Sequence, residues 1–159
     1  MKLYIRQKVF SWTDRFTVKD ETGQDKYSVE GELFSFGKKL HVYDMPGVER
    51  AFVQQKVFSF LPRYFVFVGE QQVAEIVKAF TFFRQQYTVE GLGWEVSGDF
   101  WAHDYEILQK GQPIVTIHKE WMTWGDCYEL DIADARDEII ALSVVLAIDS
   151  ALDAASSNN

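Results

Sequence analysis

The sequence predicts a mainly β fold, an internally duplicated twelve-stranded barrel closed around a central C-terminal hydrophobic helix, and three observations carry that expectation. Twelve short runs of β-forming residues follow one another with turn residues between them. The chain repeats its own words across those runs. Near the C-terminus, Ile139 to Ile148 reads IIALSVVLAI, apolar at every position but Ser143. A surface helix carries a polar stripe at a spacing of about 3.6 residues, whereas a helix apolar all round needs enclosure on every side or a membrane. Crossing a bilayer takes about 20 apolar residues, and Asp149 and Asp153 end this run too soon. The helix is therefore expected inside whatever the strands build.

The strands follow in order. Leu3 to Phe10 alternates and is rich in β-formers; Trp12-Thr13-Asp14 turns it into Arg15 to Asp20. The polar turn Glu21 to Asp25 leads to Tyr27, Val29, Gly31 and Leu33, which alternate with Ser28, Glu30 and Glu32 at a period of two. Gly37-Lys38-Lys39 turns into Leu40 to Tyr43, and Asp44 to Gly47 turns into a strand from Glu49 to Phe58. Leu61-Pro62 breaks the chain before Tyr64 to Val68, and Gly69-Glu70 before Val73 to Phe82. The remaining strands are Gln85–Glu90, Trp94–Phe100, Tyr105–Leu108, Pro113–Trp121 and Cys127–Ile132. Asp134, Asp137 and Glu138 then supply acids suited to a helix's first turn, where the macrodipole favours negative charge. This gives one domain, residues 1–153, followed by a flexible tail, residues 154–159.

The repeat is the most specific feature. Gln7-Lys8-Val9-Phe10-Ser11 recurs as Gln55-Lys56-Val57-Phe58-Ser59, and Arg15-Phe16 and Arg63-Tyr64 follow at equal distance. Looser copies begin at Lys78 and Lys119 and reach Tyr87 and Tyr128. Half-chains also match: Phe16-Thr17-Val18 with Tyr87-Thr88-Val89, and Tyr27-x-Val29-x-Gly31 with Trp94-x-Val96-x-Gly98. Two halves of six strands would close into one barrel, which removes sheet edges. Gly31 and Gly98 lie on apolar strand faces, where glycine marks a bulge or another backbone's close approach. They are expected to face the helix and make room for it.

Composition narrows the function. The chain has 159 residues, 47% hydrophobic and 16% aromatic, with a net charge of −8. Its pI of about 4.8 means that the overall field attracts neither nucleic acid nor anionic lipid, although a local basic patch stays open. Cys127 is the single cysteine, which excludes an internal disulfide and a multi-cysteine metal site. Lys2, Arg6 and Lys8 interrupt the N-terminus, so no signal peptide is read and a cytoplasmic location, possible attachment at a membrane surface included, is expected. No cofactor, metal or nucleic-acid partner is expected.

Five stretches together resemble a known family: Tyr4-Ile5-Arg6-Gln7-Lys8-Val9-Phe10-Ser11, Tyr27-x-Val29-x-Gly31-x-Leu33-Phe34, Gly93-Trp94-x-Val96-x-Gly98-Asp99-Phe100, Trp124-Gly125-Asp126-x-Tyr128, and Ala141-Leu142 to Ala147-Ile148-Asp149. In order and spacing they look like the LURP-one-related (LOR) family in its bacterial YxjI-type form. That family is similar in fold to the tubby C-terminal domain and to phospholipid scramblases, a twelve-stranded barrel around a C-terminal hydrophobic helix. The resemblance implies the architecture reached above and no activity. The Lys and Arg clusters by which tubby domains bind phosphoinositides have no residue-by-residue match here.

The candidate ligand-binding residues are Lys8, Arg15, Lys56, Arg63, Lys78 and Lys119, brought to equivalent places by the repeat. They read either as a basic rim for a phosphate or lipid head group or as side chains laid over outer-surface aromatics. Trp12, Trp121, Trp124, Phe58, Phe60, Phe82 and Phe83 crowd the strand ends and are expected to plug the lumen rather than form an exposed rim. Lys38-Lys39 reads as a solvated turn. His41, His103 and His118 are too scattered for a metal motif, and Cys127 reads as a buried thiol. The chain thus reads as a non-enzymatic binding module for a lipid head group, membrane surface or small ligand. The alternative is a protein-interaction or regulatory scaffold without a small ligand, and an enzyme using His103, Asp104 or Cys127 is a distant third.

Overall fold

The computed structural model describes residues 1–6, 15–32, 35–80, 85–123 and 125–157. The twelve strands are β1 (Lys2–Arg6), β2 (Arg15–Lys19), β3 (Asp25–Gly31), β4 (Lys39–Asp44), β5 (Glu49–Gln55), β6 (Arg63–Val68), β7 (Gln71–Phe80), β8 (Gln85–Glu90), β9 (Trp94–Asp99), β10 (Asp104–Gln109), β11 (Gln112–Met122) and β12 (Gly125–Ile132). Each pairs antiparallel with its neighbours in sequence, and β1 closes the barrel against β12. The half-chain repeat sets β2 against β8 and β3 against β9, strands on opposite sides of the closed sheet. β5 stops at Gln55, short of the expected Phe58, because Phe58 takes a left-handed backbone (φ 61°) that extended structure cannot continue through.

A single helix, α1 (Glu138–Ser157), follows a short 3-10 turn at Ala135–Asp137. Every residue from Ala141 to Leu152 is buried, so the helix occupies the lumen. Inward strand positions such as Val29, Val42, Val53, Val66, Ile76, Val96, Ile107 and Leu130 form one core with it. Burying each Val, Leu or Ile contributes about 1.5–3 kcal/mol, which makes this shared core the main source of stability. Two serines within the helix return their hydroxyls to the backbone, Ser143 Oγ to the Ile139 carbonyl and Ser150 Oγ to the Leu146 carbonyl, each at 2.7 Å. The helix continues to Ser157, so residues 154–157, read from sequence as tail, are helical.

Antiparallel order fixes two ends. At the proximal end the helix enters: Glu138 accepts from the Tyr27 hydroxyl (3.0 Å) and pairs with Lys26 (2.7 Å). At the distal end lie the starts of the even-numbered strands, the ends of the odd-numbered ones, and the helix C-terminus. There Lys38 Nζ donates to the Ser150 carbonyl (3.3 Å) and pairs with Asp153 (2.7 Å). Lys38 is thus a partly buried cation at a helix C-terminus, where the macrodipole favours it, and not the solvated turn residue expected. Lys39 pairs with Glu32.

Gly98 departs from expectation. It takes φ 140°, and a Cβ added to it would meet Tyr105 Cα at 2.5 Å and the Asp104 carbonyl at 2.7 Å. The glycine therefore accommodates the backbone of β10, its paired strand, rather than the helix. Gly31 ends β3 opposite Leu40. Gly98→Ala combines a strained φ with a backbone clash, and is expected to cost at least about 2 kcal/mol. A denaturant titration checks this; an unchanged midpoint would contradict it.

Candidate functional site

The distal end gathers the unusual chemistry of the chain. Within the lumen, even-numbered strands present Phe16, Leu40, Tyr64, Tyr87, Tyr105 and Tyr128 at or near their starts, a ring contributed by alternate strands as barrel layers usually are. This ring is the physical content of the repeat, whose copies reach Phe16, Tyr64, Tyr87 and Tyr128. The four tyrosines are at most 2% exposed. Asp149, from the helix, is buried beside them: Tyr128 donates its hydroxyl to Oδ2, and His103 Nε2 lies 3.2 Å from Oδ1. The His103 ring stacks on Tyr128 with centroids 4.5 Å apart, on a backbone held at φ 51°.

Burial raises the Tyr87 phenol to about 12, with the negative charge of Asp149 adding to it. Burial and the same charge push Tyr105 and Tyr128 well above the usual phenol range. Tyr87, Tyr105 and Tyr128 therefore stay neutral and offer no tyrosinate nucleophile, and of these hydroxyls Tyr128 donates to Asp149. His103 meets Asp149, not its neighbour Asp104, and Cys127 is buried with its thiol directed to the Glu120 carbonyl at 3.5 Å. Sequence alone had no signal for the His103–Asp149 pairing except that Asp149 interrupts an apolar run.

The mouth above this layer carries the predicted basic residues. Arg15, Lys56, Arg63, Lys78 and Lys119 all belong to distal strand ends or the distal loop between β5 and β6, spread around the circumference; Lys8 lies outside the described residues. Lys78 and Lys119 are direct cross-strand partners of Tyr87 and Tyr128, which puts them on the lumen side of the rim. Lys56 faces outward, 6.0 Å over the Phe65 ring. Arg15 pairs with Glu30, and Arg63 with Glu75 at 2.8 Å. Lys56 and Lys119 are exposed and make no ion pair among the described residues.

The aromatics overturn the plug expected of them. Phe58 is 95% exposed and Phe60 fully so, in the loop between Lys56 and Arg63. Phe36, also exposed, stands 6.3 Å from Phe58 across adjacent loops. Trp101 is exposed on another distal loop. Trp12, Phe82, Phe83 and Trp124 lie outside the described residues. Pairing between β8 and β9 ends at Tyr87 and Val96, and an open groove of about 600 Å³ lies there, lined by Gln86, Ser97, Gly98, Asp99 and Trp101 among others. Phe36 and Trp101 carried no signal in the repeat, so sequence reading missed them.

The family model described as "LURP-one-related" matches residues 1–149. The chain belongs to the LURP-one-related family. It is 34% identical over 152 residues to "Uncharacterized protein YxjI" of Bacillus subtilis (strain 168), covering 96% of this chain and 94% of that one. Its fold is similar to an X-ray structure of a protein from Arabidopsis thaliana, AT5G01750, with a TM-score of 0.66, 14% identity, and coverage of 93% and 89%. At that identity the plant protein supports the barrel alone. In this LURP-one-related chain no helix among the described residues is long and apolar enough to cross a membrane.

The Tyr128–Asp149 contact ties the barrel wall to the helix. Tyr128→Phe removes one donor to a buried carboxyl group and is expected to cost about 1.5–3 kcal/mol, read as a lower urea midpoint with the same slope. No change in midpoint would show the contact to be dispensable.

Proposed function

We propose that this LURP-one-related protein is a non-enzymatic, peripheral binding module that sets its distal end against an anionic membrane surface. The observation that carries the reading is the loop between β5 and β6, where Phe58 and Phe60 stand in solvent between Lys56 and Arg63. Exposed aromatic side chains of this size cost solvation unless a partner covers them. Flanking cations draw such a loop toward anionic head groups while the rings enter the headgroup boundary. Phe36 and Trp101 extend the apolar contact, and Lys78 and Lys119 stand at the lumen mouth, where phosphate oxygens of a head group would meet them.

Charge distribution supports the same orientation. Asp20, Glu21, Asp44, Glu70, Asp134 and Asp137 belong to proximal turns. The acidic surplus that gives the chain its −8 therefore faces away from the proposed contact, which leaves the local field at the distal end to act within a Debye length of about 8 Å.

The test is flotation with vesicles of phosphatidylcholine alone and of phosphatidylcholine with phosphatidylserine, across a salt series. Binding to the anionic vesicles that weakens with salt is expected. Phe58→Ser with Phe60→Ser should abolish it, and Lys56→Glu should weaken it about fivefold or more, since each basic residue near such a surface contributes about 1 kcal/mol. Absence of binding to either vesicle would overturn the reading.

A further inference from the structure

On the outer face of the wall whose inner face carries Tyr128, three side chains converge in a way the distal end does not explain. His118 of β11 is the direct cross-strand partner of Glu129 of β12, and Glu120 lies two residues along β11 on the same face. The sheet thus imposes their proximity: paired residues and their i+2 neighbours share one face. His118 Nε2 lies 3.2 Å from Glu120 Oε1 and 3.6 Å from Glu129 Oε1, and one ligand atom from each lies within 4.8 Å of the others.

Glu129 is the exceptional member. It is 3% exposed, a carboxylate sunk in the wall of a barrel. Its Oε1 is buried, and the Lys2 ammonium faces it at 2.8 Å. The Tyr4 hydroxyl, cross-strand on β1, hydrogen-bonds the same carboxyl group. Burial works to raise the Glu129 pKa, but contact with Lys2 and Tyr4, with the charges of Lys2 and His118, outweighs it and holds the group below the usual range. The site thus sets a buried, oriented carboxylate oxygen beside an imidazole nitrogen and a second carboxylate, with His118 and Glu120 half-exposed to solvent.

We infer that His118, Glu120 and Glu129 form a three-ligand site for a divalent transition-metal ion of the zinc class. Zinc–nitrogen and zinc–oxygen bonds run about 2.0–2.2 Å, so ligand atoms at neighbouring corners of a zinc tetrahedron stand roughly 3.3–3.6 Å apart. Of the two separations from His118 Nε2, 3.6 Å matches the upper end of that span and 3.2 Å is just short of its lower end. One imidazole with two carboxylates favours zinc or a neighbouring metal over magnesium or calcium, which prefer all-oxygen shells. Two carboxylates neutralise the ion, and the solvent side leaves its fourth position to water. Tyr4 orients Glu129 from behind, the role such outer hydrogen bonds play in metal sites. Lys2 is the resident competitor: the ion displaces its ammonium from Oε1, and Asp131, whose charge already acts on Lys2, stands directly across from it to receive it.

The experiment is titration of the untagged full-length protein with Co²⁺, followed by visible absorption, and with Zn²⁺, followed by calorimetry. One equivalent of Co²⁺ is expected to give the intense bands of four-coordinate cobalt, and Zn²⁺ to bleach them. His118→Ala and Glu120→Gln lie at half-exposed positions that leave the fold intact, and each should weaken binding by about 100-fold or more. Glu129→Gln should do the same, and Lys2→Met should tighten binding by removing the competitor. Absence of the bands, or metal binding as tight in the His118 and Glu120 variants as in the parent, would overturn the site and leave the trio an ion-pair network.

Discussion

The structure depends on mutual enclosure between a closed sheet and an apolar helix. A twelve-stranded barrel has too wide a lumen for its own side chains to fill as those of small barrels do. A helix with no polar face, equally, has no stable place on a surface. Placing residues 141–152 in the lumen buries both surfaces at once, and closure of β1 on β12 leaves no edge. Neither partner is stable in this form without the other, which makes folding of the last element and closure of the sheet one event.

The few polar groups in that interface define its direction. At the proximal end Glu138, in the first turn of α1, meets Tyr27 and Lys26; at the distal end Lys38 meets the last turn. Glu138 and Lys38 each have the sign the helix dipole favours at the terminus they meet. Between them, Asp149 takes Tyr128 and His103 from the wall, a contact that fixes the rotation of the helix as apolar packing alone would not. The same layer separates a dry core from a distal rim that carries exposed aromatics and cations. The site proposed for membranes and the anchor of the helix are thus adjacent levels of one end, while the His118, Glu120 and Glu129 trio lies on the outer face of the wall behind Tyr128.

Much of this was legible in the sequence because period-two alternation and an unbroken apolar run are direct images of burial. Gln85–Glu90 is read to the residue, and IIALSVVLAI demands a lumen. The copies of the repeat share the inward aromatic of alternate strands at the distal end. Their lysines were less informative: Lys78 and Lys119 face Tyr87 and Tyr128, whereas Lys56 follows Gln55, the actual partner of Tyr64, and so points outward. A one-residue register difference flips a side chain across the sheet, and alignment of words cannot reveal it. Contacts between residues distant in sequence were also hidden. Nothing local joins His103 to Asp149, and the crowding at Gly98 comes from a partner strand rather than the helix.

Native-state hydrogen exchange tests the mutual enclosure most directly. If helix and barrel are one cooperative unit, amides of Ala141 to Leu152 exchange only through global unfolding, with the same free energy as strand-centre amides such as those of Val42 and Val66. Helix amides that exchange at a markedly lower free energy, while those strand amides stay protected, would show that the barrel stands without its helix and would contradict the account.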